Sequence, residues 1–102
     1  MKANELRIGN LVFNHKGKPI QILEWIGNEA YLTEGRKAYG IKTSSPIPLS
    51  NEWFDRFDWR NGFHKGLLMR VGTQINLFGK IMPIDYVHEL QNLYYTLHKE
   101  EL

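Results

Sequence analysis

The chain of 102 residues contains no cysteine. That absence excludes a disulfide framework, a thiolate zinc site and a cysteine nucleophile, and it suits a reducing compartment. No apolar run approaches the roughly 20 residues that span a bilayer. The opening MKANELRIGN mixes charged and apolar residues and lacks the continuous apolar stretch of a secretory signal. A soluble, cytoplasmic protein that makes no use of the membrane is therefore expected. Charge of one sign is also scarce: 13 Lys and Arg stand against 11 Asp and Glu, for a net charge of +2. Dedicated nucleic-acid binders usually concentrate positive charge more than this. What excess there is lies in residues 1–50, with seven basic and four acidic side chains, against six and seven in the remainder. Repeats, linkers and low-complexity segments are missing too, so residues 1–102 are expected to form a single domain.

Signatures of chemistry are equally thin. His15, His64, His88 and His98 never stand three or four apart, and no acid completes a metal-ligand spacing. Ser44 and Ser45 lack the strand–turn–helix setting of an activated serine. The segment Gly35-Arg36-Lys37-Ala38-Tyr39-Gly40 has neither the spacing nor the terminal Lys-Ser/Thr of a phosphate loop. Asp55, Asp58 and Asp85 are the aspartates available for acid–base work, but Asp58 precedes a turn and Asp85 is placed to cap a helix. No catalytic residue, metal site or cofactor is expected, and the chain does not read as an enzyme.

What is present is an α+β pattern. Residues 8–42 are strand-rich. Leu11-Val12-Phe13 leads to a turn at His15-Lys16-Gly17-Lys18, and the run from Ile20 to Ile26 follows between Pro19 and Gly27. Gly27-Asn28 turns the chain into Ala30-Tyr31-Leu32-Thr33, and a shorter strand is expected over Ala38 to Lys42. A short helix spans 50–57, with the Ser50 hydroxyl as N-cap, Glu52 in the first turn, and Leu49 and Phe54 at staple spacing. Trp53, Phe54 and Phe57 share one side of it. Hairpins fill 58–80. Asn61-Gly62 is suited to a type I′ turn, and a second hairpin, of Gly66 to Val71 and Gln74 to Phe78, turns at Gly72-Thr73 with Leu67, Met69 and Val71 alternating onto one face.

The last helix, over 85–98 with Asp85 as cap, carries the clearest periodicity. At about 100° per residue Tyr86, Val87, Leu90, Leu93, Tyr94 and Leu97 fall in one arc of roughly 120°, a core-facing stripe. The opposite arc holds His88, Gln91, Asn92, Tyr95 and His98 and is short of formal charge. Two readings stand for His88, Gln91, Asn92 and Tyr95. They form an interface with a protein partner or a second copy of the chain, since interface centres lose charge and gain aromatics; or they satisfy polar groups of their own fold.

A nucleic-acid reading is the alternative. It uses Arg36, Lys37, Tyr39 and Lys42 with Arg60 and Lys65 as phosphate-neutralising groups, and Trp59 and Phe63 as stacking platforms. Against it, Trp59 and Phe63 can instead form a cross-strand pair on the core, leaving Arg60 and Lys65 merely solvated.

Three stretches, Ala3-Asn4-Glu5-Leu6-Arg7-Ile8-Gly9-Asn10-Leu11-Val12, Ile47-Pro48-Leu49-Ser50-Asn51-Glu52-Trp53-Phe54 and Tyr86-Val87-His88-Glu89-Leu90-Gln91-Asn92-Leu93-Tyr94-Tyr95, occur in this order along nearly the whole chain. Together they resemble a family of short uncharacterised proteins of gut anaerobic bacteria, their prophages and mobile elements. The resemblance implies a cytoplasmic accessory protein and brings no activity or ligand with it. The segment Arg7-Ile8-Gly9-Asn10-Leu11-Val12, followed by a Gly turn and an apolar strand, also looks like the first hairpin of small SH3-like barrels, which is a likeness of fold alone. The expected architecture is an antiparallel, bent sheet or partly open SH3-like barrel, with the short middle helix and the C-terminal amphipathic helix packed on it. The expected function is that of a non-enzymatic protein-binding or adaptor protein, as a candidate homodimer.

Overall fold

The computed structural model describes residues 3–102. The chain divides into two compact units, Met1–Ile47 and Pro48–Leu102. Among the described residues its architecture is α+β, with antiparallel sheets of two, three and four strands and no closed barrel.

In the first unit β1 (Leu11–Phe13) pairs with β2 (Pro19–Gln21), and β3 (Glu24–Ile26), β4 (Ala30–Leu32) and β5 (Ala38–Gly40) form a meander. The β1–β2 turn is held by Asn14, itself buried, whose Oδ1 accepts from the amides of Lys16 (2.9 Å) and Lys18 (3.0 Å). The apolar run from Ile20 to Ile26 is expected to be one strand, but it splits at Ile22-Leu23. Its hydrogen-bond partner changes there: Ile22 exchanges bonds with Gly9 and Asn10, whereas Leu23 donates to Leu32. Ile22, with no exposure, is the pivot of this bend. Leu6, Val12, Ile22, Tyr31 and Ile41 form the buried cluster around it. Tyr31 brings a hydroxyl into that cluster and satisfies it on Ser44, whose own hydroxyl bonds the Gly40 carbonyl at 2.8 Å.

The second unit begins with α1 (Asn51–Arg56), continues through a meander of β6 (His64–Lys65), β7 (Leu68–Val71), β8 (Gln74–Leu77) and β9 (Lys80–Met82), and ends in α2 (Val87–His98). Phe54, Trp59, Leu68, Ile75 and Leu90 are its buried cluster, with Leu93, Tyr94 and Leu97 of α2 packed against it. The apolar arc of the last helix is therefore its packing face, except that Tyr86 lies at the N-cap and is partly exposed. The cap differs from expectation. Asp85 does not cap; the Glu89 carboxylate reaches back to accept from the amides of Asp85 (3.1 Å) and Tyr86 (3.0 Å), which satisfies donors a helix start leaves free. At α1, Ser50 does stand at the N-cap, but its carbonyl rather than its hydroxyl meets the first turn. Leu49 and Phe54 both pack on the cluster, as a staple requires. Asn61-Gly62 turns the chain with positive φ at Gly62 alone, so it is not a type I′ turn, and the residues before it form no strand.

One polar side chain organises this unit. Arg70 on β7 is 5% exposed, and its guanidinium is shared among three elements. Nε donates to the Gly72 carbonyl (2.8 Å), one terminal nitrogen to the Trp59 carbonyl, and the other to Asn51 Oδ1 (2.8 Å). Its carbon lies 4.4 Å from the centroid of the Phe54 ring. Asp55 is the nearest acid at 3.8 Å, but it is 77% exposed, and an ion pair of that kind is worth little. The guanidinium is held by neutral acceptors.

Two outcomes follow. Arg70→Met keeps the aliphatic bulk and strands three acceptors, which should cost about 3 kcal/mol in urea unfolding. Arg70→Lys, with a point charge that cannot fork to three acceptors, should cost about 2 kcal/mol; a loss below about 0.5 kcal/mol, the size of an ordinary surface change, would contradict this account. In the first unit burial pushes the Tyr31 phenol above its ordinary 10.0, opposed by the Ser44 hydrogen bond and reinforced by Tyr39. A raised folded pKa means that this contribution to stability is intact below pH 10.0 and is lost as pH climbs through the folded value. Phenolate absorbance should therefore show a step above the ordinary tyrosine range, and Tyr31→Phe should remove it.

Candidate functional site

The charge-poor arc of α2 proves to be largely internal. His88 and Gln91 are 3% and 5% exposed, while Asn92 and Tyr95 are half-buried, and all four are engaged by interactions within the chain. His98 lies against the β6–β7 turn, where a Cβ on Gly66 would come within 2.1 Å of its ring, and it packs on Tyr94 with ring centroids 4.6 Å apart. The residues expected to form an interface thus present little free surface.

The basic residues are divided between the units. Arg36, Lys37 and Lys42 are exposed in the first, where Lys37 and half-buried Tyr39 line one cleft together with Lys18. Arg60 is exposed and Lys65 half-buried in the second. Trp59 is buried in the core and donates its indole N–H to the Phe63 carbonyl at 2.8 Å, so it cannot stack on a base. The Phe63 ring is exposed rather than paired with it on the core. Among the described residues, no group of three or more His, Asp or Glu side chains is placed to hold a metal ion.

The surface that stands out is the outward side of the four-stranded sheet. Strand alternation puts Leu68 and Arg70 inward, and Met69 and Val71 outward. Register then aligns His64, Met69, Asn76 and Ile81 in one row across the four strands, with Val71 and Gln74 beside them. No side chain in these positions is formally charged when His64 is neutral. Leu67, Val71 and Ile81 are exposed.

Three two-residue turns join the strands, and their backbones differ. Gly66-Leu67 and Gly72-Thr73 each have positive φ at the glycine alone, the pattern of a type II′ turn. Phe78-Gly79 has φ of 52° and 82°, the pattern of type I′, whose first position favours Asn or Gly. A bulky residue with positive φ is strained. This phenylalanine is also 81% exposed. With Leu67, Met69 and Asn76 it walls a concavity of about 370 Å³ at the end of the sheet where the Gly66-Leu67 turn also lies. The Asn76 Oδ1 atom is buried and has no hydrogen-bond partner among the described residues.

Sequence reasoning missed this site because Phe78 reads as the last apolar residue of a strand, and only the turn geometry puts it outside. The Phe-Gly pair after an alternating run was the available signal. No protein-family model, curated protein or solved structure matches the chain.

Proposed function

We propose that the chain is a non-enzymatic protein-binding module whose contact surface is the outward sheet face and the Phe78 tip, and that the occupant of this surface is a second copy of the chain. The observation that carries the reading is Phe78, strained in backbone and exposed in side chain at once. Strain and an exposed aromatic each work against the isolated fold, and sites that retain both are typically used for contact. The absence of formal charge along the face supports a like-with-like contact, because two copies meet without repulsion. An isologous two-fold pairing is the ordinary way for a surface to meet itself.

The face is small. Four strands at about 4.8 Å and four residues at about 3.3 Å give roughly 19 by 13 Å. Such a footprint, about 250 Å² on each copy, is smaller than a standard specific interface buries, so the association is weak and depends on concentration. The resemblance to gut-anaerobe and prophage proteins supports a cytoplasmic accessory role, with the dimer as the form that acts as adaptor.

Phe78→Asn separates the roles. Asn tolerates positive φ, so urea unfolding should show the variant as stable as the parent or more so, by up to about 1 kcal/mol. Sedimentation equilibrium up to about 100 μM, a range suited to weak contacts, should show the parent associating and the variant monomeric. A parent that stays monomeric, or a variant that associates equally well, would overturn the proposal.

A further inference from the structure

The first unit carries a separate cleft of about 860 Å³, within the usual range of small-ligand sites. Its apolar wall includes Leu11, Ile20 and Leu23, and its polar groups include Lys18, Lys37 and Tyr39. The two lysines come from distant turns, and each turn is fixed by a buried polar side chain. Asn14 exchanges bonds with Lys18, donating its amide to the Lys18 carbonyl at 2.9 Å and accepting from the Lys18 amide through Oδ1 at 3.0 Å. Thr33 holds the Lys37 carbonyl with its amide at 2.8 Å and its hydroxyl at 3.2 Å. Asn14 and Thr33 are 6% and 5% exposed. Both lysines therefore stand on anchored backbones in the lining of the same cleft. Glu34 is the one carboxylate in the lining, and over residues 1–47 seven Lys and Arg outnumber four Glu.

Tyr39 adds the second half of the chemistry. Its half-buried ring packs against the core cluster, 6.4 Å from the Tyr31 ring, and reaches the cleft from β5. A tyrosine ring in the cleft wall, flanked by the Tyr31 ring and by the His15 ring at 6.1 Å, offers a planar ligand a contact surface.

The geometry points to a nucleotide site: Lys18 and Lys37 neutralise a phosphate while Tyr39 stacks on the attached base, the ligand being a free nucleotide or one unit of a single strand. The site is independent of the sheet face in the other unit and survives failure of the dimer.

Fluorescence anisotropy with a short labelled oligothymidylate at low salt tests it. The parent should bind, and the Lys18→Ala/Lys37→Ala double variant should bind at least about tenfold more weakly, with a salt slope smaller by about 0.7 for the one phosphate no longer neutralised on a single strand. Tyr39→Leu should weaken binding between about fivefold and 150-fold, the range for one lost base stack, while Tyr39→Phe should retain it. Circular dichroism establishes that each variant is folded. Competition by thymidine monophosphate assigns the free nucleotide as a sufficient ligand, and competition by unlabelled oligothymidylate alone assigns the strand; either upholds the site. No binding at low salt, or binding indifferent to the two lysines, overturns it. Dependence on the lysines with no effect of Tyr39→Leu overturns the nucleotide assignment.

Discussion

A guanidinium buried in a small unit has to find acceptors or cost several kcal/mol. Arg70 finds three, and their positions explain much of the second unit. Asn51 lies on α1, Trp59 on the segment after it, and Gly72 in the β7–β8 turn. One side chain thus fixes the helix, the connection and the sheet in a common frame. The Phe54 ring under the guanidinium supplies an apolar and π surface without adding a charge. Because the acceptors are neutral, the arrangement depends on hydrogen-bond geometry more than on ionic attraction, and it tolerates salt better than a surface ion pair would.

That frame has a consequence for the opposite side of the sheet. Placing Arg70 and Leu68 inward on β7 fixes Met69 and Val71 outward, and pairing to β8 and β9 brings Asn76 and Ile81 beside them. On β7 the outward face carries no formal charge because the inward face already holds the cationic side chain that strand alternation would ordinarily expose. The tight Phe78-Gly79 turn then sets an aromatic ring at the margin of the same face. The fold and its proposed contact surface are two results of one strand orientation.

The sequence made local periodicity legible and left partner choice hidden. The apolar arc of α2 was readable because Val87, Leu90, Leu93, Tyr94 and Leu97 lie within one helix and need no knowledge of anything else. The alternation of β7 was readable too, but not which side faced in. Arg70 counts as a solvent residue in any hydrophobic pattern, and only its three distant acceptors make it an interior one. For His88 and Gln91 the sequence left an interface and an internal role both open, and their burial accords with the internal one. Of the basic set, Lys37 and Tyr39 were recognisable as candidates. Lys18, which joins them in the cleft, was not, because turns far apart in sequence bring it there.

The claim on which the second unit rests is that Arg70 is an interior, fully engaged cation. Its Nε–H proton reports this directly in a proton–nitrogen correlation spectrum. Bonded to the Gly72 carbonyl and shielded from water, that proton should persist at neutral pH with slow exchange, distinct from the arginines at the surface. An Arg70 signal that exchanges with solvent as fast as those of Arg36 and Arg60 would contradict the account.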